Sequence, residues 1–369
     1  MNYSIELGPI RPPSEAYSVL LRLTRNCPWN QCVFCPTFKE KKFSMRSVDE
    51  VKNDIDTIAF IIEELAKRPV LTQQTINDIS LENDIDYGYI EQVLTWLHFG
   101  MNSLFLQDAD SLTMKTGDIL EILNHIKAKL PSINRITTYA RANTVSRKTL
   151  DELKALQNAG LNRLHIGMES GSDAVLALLK KGVTSEKQID AGRKAIEAGI
   201  EVSLYFMPGC GGAGHIEDNA LGSAKVINAI DPAFIRIRSV VPMPGTPLYQ
   251  MMTDKQWVPL SEREKVKELR LLIENLENIK SSLISDHIMN LLEEVEGVFP
   301  NDKNKMLNII DRFFAMDKEE QDNFIVGIRL GYYRKLSDTS REIEPVKARL
   351  IAQYGDLDTA MRALLTRYI

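Results

Sequence analysis

The chain has 369 residues, 44% hydrophobic and 26% charged, with 45 basic against 50 acidic side chains and a formal net charge of −5. That composition supports a sizeable apolar core and excludes global disorder. The acid excess points away from a chain built mainly to grip a phosphate backbone, and the longest apolar runs fall far short of the roughly 20 residues that cross a bilayer. The first ten residues carry Glu6 and no basic run ahead of an apolar stretch. No secretory signal and a cytoplasmic location are therefore expected.

Residues 17–24 (YSVLLRLT) are rich in β-formers and predict a strand that runs into a cysteine-bearing loop. A helix pattern starts near Ser47, which is spaced from Glu50 as a capping box, and continues through Val51, Ile55, Ile58, Ile62 and Leu65. A polar stretch and a helix over 87–99 follow. Strands are then predicted at 103–107, 135–140, 163–168, 201–207 and 234–240, with helices at 117–130, 149–159, 185–198 and 218–230 between them. Repeated βα units imply parallel strands joined by right-handed crossovers. The expected fold is α/β, a partial (β/α)6 TIM-like barrel with a helical C-terminal extension. Beyond Pro259 no strand is expected: 261–282 reads as one long amphipathic helix and 286–369 as shorter ones broken near Gly297, Pro300 and Gly355. The predicted organisation is an N-terminal extension at 1–16, the barrel at 17–260 and a helical region at 261–369.

The chain holds four cysteines, three of them within nine residues: Cys27-Pro-Trp-Asn-Gln-Cys32-Val-Phe-Cys35. So few cysteines in a long chain with no export signal suggest metal or redox chemistry rather than disulfides. Soft thiolate ligands select iron–sulfur clusters or zinc. A closed zinc site needs four ligands, and no second knuckle follows, although the distant Cys210 is a possible fourth. Three thiolates on a four-iron cluster leave one iron open for chemistry.

This loop after the first strand resembles that of the radical S-adenosylmethionine (SAM) superfamily, in particular the broad group of methylthiotransferases, coproporphyrinogen-oxidase-like and elongator-like enzymes. The likeness spans about residues 17–249. It implies that Cys27, Cys32 and Cys35 hold a [4Fe–4S] cluster and that Phe34 packs near the adenine of SAM. Asp108, Ala109 and Asp110 lie where the family usually has Gly-Gly-Glu-Pro, whose backbone holds the methionyl amino group. Arg141, in TYARAN, resembles the third strand end. Glu169 and Ser170, in IGMESGSD, and Lys181 before Gly182 are similar to the fourth-strand signature, in which Glu169 meets the ribose and Lys181 lies near the ribose or carboxylate. Met207 and Pro242 resemble the fifth and sixth strand ends. Two departures stand out: four residues rather than three separate Cys27 from Cys32, and Asp108 and Ala109 replace both glycines.

In parallel barrels catalytic groups sit at the C-terminal ends of strands, where these segments all fall. Each residue also has a plainer reading. Glu169 is a carboxylate near a helix start and Lys181 a cation near a helix end. Arg236 and Arg238 alternate on the sixth strand, so both should face one side, as a cationic floor for an anionic substrate or as salt-bridge partners. Tyr205 and Ser203 share a face in the same way. Cys210 reads as a small buried hydrophobe or as a hydrogen-atom donor; an auxiliary cluster would need more thiolates than remain.

The resemblance implies an enzyme that reductively cleaves SAM to a 5′-deoxyadenosyl radical and abstracts hydrogen from a small polar or anionic substrate. Tyr205, Cys210, Arg236 and Arg238 are the candidate substrate-side residues. An electron donor such as flavodoxin or ferredoxin, anaerobic chemistry and no nucleic-acid or membrane partner are expected. The rivals are a tRNA-modifying radical SAM enzyme and a non-catalytic iron–sulfur or zinc protein.

Overall fold

A computed structural model describes residues 3–68, 70–338, 340 and 343–368. Parts of the predicted N-terminal extension and C-terminal helical region, residues 1–2, 339, 341–342 and 369, lie outside the described residues. The chain divides into two compact units: residues 1–30, 37–166 and 194–201 form the first, and residues 31–36, 167–193 and 202–369 the second.

The first unit carries β1 (Val19–Arg22), β2 (Ser103–Gln107), β3 (Arg135–Ala140) and most of β4 (Leu161–Glu169). All three pairings are parallel, with Val19 opposite Leu104, Ser103 opposite Arg135 and Thr137 opposite Arg163. Its helices are α1 (Val48–Ala66), α2 (Gln73–Asn83), α3 (Tyr87–His98), α4 (Thr116–Lys129), α5 (Ala142–Arg147) and α6 (Leu150–Asn158). The Ser47–Glu50 capping box forms as expected. The apolar face of α1 is completed by Ile61 rather than Ile62, and α1 packs on α4 and β1. Val19, Leu21, Leu104, Leu106, Ile55, Ile58 and Ile119 are buried, each contributing about 1.5–3 kcal/mol of transfer free energy. Helix α2 falls in the stretch read as merely polar.

The second unit holds the end of β4, nearly all of β5 (Glu201–Phe206), β6 (Phe234–Ile237), β7 (Ser282–Ile284) and β8 (Gly297–Val298). Strands β5, β6 and β7 are parallel neighbours, and β8 runs antiparallel to β7. The helices are α7 (Asp173–Leu178), α8 (Ser185–Glu197, whose last turn belongs to the first unit), α9 (Ile216–Ile230), α10 (Pro247–Thr253), α11 (Glu262–Glu274), α12 (Lys303–Ala315), α13 (Lys318–Arg329), α14 (Ile343–Tyr354) and α15 (Leu357–Leu365). Helix α11 packs along α9.

The α/β class and the six expected strands are present. The single helix predicted over 261–282 is not: α11 ends at Glu274, and the chain then becomes a seventh parallel strand in a region where no strand was expected. Side chains drive this departure. Asn228 Nδ2 donates to Asn275 O at 2.9 Å, Asn228 Oδ1 accepts from the N–H of Glu277 at 3.0 Å, and Asp231 Oδ1 accepts from that of Lys280 at 2.7 Å. These bonds draw the chain off the helix axis and lay it beside β6.

Candidate functional site

Most candidates lie at or just beyond the C-terminal end of a strand; Tyr205 and Arg236 lie one residue inside theirs, and Lys181 follows α7. In the first unit, β1 leads through Asn26 into Cys27. Asn26 has φ 70° and donates its N–H to Asp108 Oδ2 at 2.8 Å. Asp108 is the first residue after β2, fully buried, with φ 74°, a left-handed backbone that favours glycine. Its Oδ2 also accepts from Arg22 Nε at 2.9 Å and Nη2 at 2.7 Å, and Arg22 reaches Glu6 at 3.0 Å. Burial nevertheless pushes the Asp108 carboxyl above its ordinary range. The backbone thus keeps the shape of a glycine while the side chain holds the first half of the cysteine loop.

Cys27 Sγ accepts from the N–H of Asn30 at 3.4 Å. The Arg141 guanidinium, just past the end of β3, stands 5.0 Å from the centroid of the Trp29 ring in the cysteine loop, a cation–π contact. Asp110 is buried, accepts from Thr144 Oγ1 at 2.5 Å and from the N–H of Arg141 at 3.3 Å, and is pushed up to about 6 by burial. Ala109, between the two acids, is half-buried.

In the second unit, Val33 donates its N–H to Leu179 O and accepts from the N–H of Leu248, both at 3.0 Å, which ties the Cys32–Cys35 turn to the ends of α7 and α10. Val33 sits in a buried cluster with Val175, Leu179, Met207, Cys210, Val240, Leu248 and Trp257, and Phe34 packs against it. Glu169 ends β4 with φ 62°, and its Oε1 accepts from Lys181 Nζ at 2.8 Å. Lys181 Nζ in turn stands 5.8 Å from the Phe34 ring centroid. A Cβ on Gly167 would lie 2.4 Å from Glu169 Oε1 and 3.0 Å from Lys181 Nζ, so a larger residue there would push this ion pair aside. Ser170 is buried and accepts from the N–H of Ser172 at 3.1 Å. The N–H of Met207 donates to Glu169 O at 2.9 Å. Phe34, Glu169, Lys181, Met207 and Cys210 are thereby gathered, and Pro242 is buried on the loop after β6.

Cys210 is wholly buried, and burial pushes its thiol well above the usual range. Its Sγ lies 3.7 Å from Asn219 Oδ1. Glu268, on α11, accepts from the N–H of Gly209 at 2.6 Å and from Asn219 Nδ2 at 3.0 Å, and burial pushes it up to about 7. The sequence reading passed over Glu268; its one signal is a carboxylate on the apolar stripe of a helix, one turn from Leu272.

Tyr205 pairs in register with Arg236 and shares its face of the sheet. The expectation that Arg236 and Arg238 face one side is corrected. Strand β6 ends at Ile237, so alternation stops there: Arg236 is buried and Arg238, past the strand end, is exposed. Asp286 and His287, which follow the unforeseen β7, were also missed.

Cys27, Cys32 and Cys35 are partly exposed and none is in a disulfide, and a backbone N–H already points at Cys27. That soft donor set fits an iron–sulfur cluster. Among the described residues no three His, Cys, Asp or Glu side chains are drawn around a single ion. A four-iron cluster does not require that, because each thiolate takes a different iron.

Among curated proteins, the tRNA-2-methylthio-N(6)-dimethylallyladenosine synthase of Coxiella burnetii is 25% identical over 297 residues, 79% of this chain and 58% of the relative. A tRNA uridine(34) acetyltransferase of Methanocaldococcus infernus is 26% identical over 117 residues, 31% of this chain and 22% of that protein. This chain therefore spans little more than half the length of the first of these relatives. Among solved structures, a cobalamin-dependent SAM radical enzyme with aqua-cobalamin and SAM bound aligns at TM-score 0.48 and 15% identity, covering 95% of this chain and 54% of its own. Methylornithine synthase aligns at TM-score 0.43 and 16% identity, covering 83% and 84%. The relatives that act on tRNA weigh against the expectation of no nucleic-acid partner. The sequence model of the radical SAM superfamily matches residues 21–215, just over half of the chain, and this protein belongs to that superfamily, whose cofactors are a [4Fe–4S] cluster and SAM.

Proposed function

We propose that this protein reductively cleaves SAM and abstracts hydrogen from a small polar or anionic substrate. The observation that carries this reading is the cysteine set of a superfamily member: Cys27, Cys32 and Cys35 share the loop after β1, while Cys210 is sealed in an apolar cluster. The three loop cysteines would hold the cluster, which when bound and reduced supplies the electron that breaks the carbon–sulfur bond of SAM to give a 5′-deoxyadenosyl radical.

The protein's own groups position and exclude water. Asp108 fixes the Asn26–Cys27 backbone, Asp110 fixes Arg141, and Arg141 braces Trp29. The backbone of 108–110 is assigned to the methionyl amino group, Phe34 to the adenine, and Glu169, held by Lys181, to the ribose hydroxyls. Ser170, Met207 and Pro242 line the cofactor, Tyr205 and Arg236 face the substrate, and Arg238, past the strand end, stands at the rim. Cys210 is assigned to packing. A ferredoxin- or flavodoxin-type donor delivers the electron. We assign these steps to a partial barrel over 17–260, with 1–16 and 261–369 as flanking regions.

Anaerobic reconstitution tests the reading. Brown protein with four irons per chain, forming 5′-deoxyadenosine under dithionite, is the expected result, and Cys32→Ala should lose both properties. Tight zinc with no SAM turnover overturns it. A second reading, modification of tRNA, is favoured by the relatives matched over 79% of the chain. Mass spectrometry of nucleosides from tRNA incubated with the reconstituted enzyme decides between the two.

A further inference from the structure

We infer that the C-terminal ends of β6 and β7 form a subsite for one oxyanion of the substrate, a carboxylate or phosphate, with Arg236 at its centre and Arg238 and His287 at its rim. This rests on the proposed reading only in calling the ligand a substrate. The Arg236 side chain is 5% exposed, and its Nε and Nη1 find no hydrogen-bond partner among the described residues. Its counter-ion is distant: Asp286 Oδ2 stands 3.6 Å from Nη1, beyond hydrogen-bond reach, on a side chain that is 45% exposed. A guanidinium serving only a structural pair closes to bidentate bonds near 2.8 Å, roughly the spacing of charge-assisted N–H···O contacts. Arg236 instead keeps an open fork, with its central carbon 5.7 Å from the centroid of Phe234 and Tyr205 beside it in register.

The two strand ends are locked together. Asn290 Nδ2 donates to Ile237 O at 2.8 Å and to Ser285 O at 3.2 Å, and its Oδ1 accepts from the N–H of Ser239 at 3.1 Å. The fork is therefore preorganised. His287 Nδ1 accepts from the N–H of Met289 at 3.2 Å, which leaves the neutral ring with its proton on Nε2, a donor. Burial and the charge of Arg238 hold this imidazole neutral, down to about 4. An arriving oxyanion would compete with Asp286 for Arg236 and meet donors from both strand ends.

Calorimetric titration of the full-length, cluster-reconstituted protein with inorganic phosphate and, separately, acetate tests this. Saturable binding of either is expected, and the tighter of the two names the oxyanion class. Arg236→Gln should weaken it at least tenfold and His287→Gln severalfold, whereas Asp286→Asn should tighten it by removing the competing carboxylate. Arg270→Gln, a distant surface ion pair, should leave it unchanged. Should Arg236→Gln not fold, the Asp286→Asn sign decides alone: no change or weaker binding overturns the subsite. Abolition of phosphate binding by SAM also overturns it, by giving the site to the cofactor's carboxylate. Anion binding in a protein that never cleaves SAM leaves the subsite standing while the radical reading falls. SAM turnover without anion binding does the reverse.

Discussion

Glu268 offers a test of how the C-terminal region supports the turn after β5. Its carboxyl, buried beneath Gly209 and Asn219, is pushed up from the ordinary 4.5 to about 7. The folded protein therefore keeps a proton that the unfolded chain releases near 4.5. Stability from this group is complete below about pH 4.5 and is lost as pH rises through about 7. At about 1.4 kcal/mol per pKa unit, the loss between about pH 5 and about pH 8 is about 2.5 kcal/mol. Glu268→Gln cannot titrate, so urea unfolding of the two proteins at both pH values should show their stability difference shifting by about that amount in favour of the variant at high pH. Asp110, pushed up to about 6, acts with the same sign but is present in both proteins and cancels. A difference that stays constant across this range refutes the assignment.

Asp108→Asn should keep an acceptor for the N–H of Asn26 and retain iron, whereas Asp108→Ala removes the acceptor of that N–H, leaves Arg22 with Glu6 alone as its carboxylate partner, and should cost about 1–3 kcal/mol and lower iron per chain on reconstitution. Gly171→Ala places a methyl 2.3 Å from Gly222 O, backbone against backbone, and should cost about 1–3 kcal/mol, read as a fall in the thermal midpoint; an unchanged midpoint would show that the two segments part easily. Cys210→Ala should keep cluster absorbance and SAM cleavage at a cost of about 1 kcal/mol of packing, and loss of the absorbance band would return this thiol to the ligand set.

The six strands were legible because each combines β-branched or aromatic residues with turn signals at both ends. Ser47 and Glu50 were legible as a cap because that bond is local, three residues apart. What escaped was set by distant partners. β7 is three residues long, and the side chains of Asn228 and Asp231 that pull the chain toward it lie 49 positions earlier than their partners, so no window over 261–282 contains the cause. The same holds for the site. Cysteine spacing singles out the candidate cluster loop, and Gly-Met-Glu-Ser-Gly singles out Glu169 as a candidate, because both signals are local. The bond from Asp108 to the loop spans 82 positions, and its left-handed backbone arises only in the folded chain. Arg238 was misplaced because alternation was carried one residue past the end of its strand.

The short strand β7 also guards an edge. Without it, β6 would keep β5 on one side and present the N–H and C=O groups of Phe234–Ile237 on the other, flanked by buried Ile235 and Ile237. A bare, apolar strand edge is a template for a second chain. A protein cut after α11 should therefore fail first by self-association rather than by loss of helix, and its solubility, not its secondary-structure content, would report the damage.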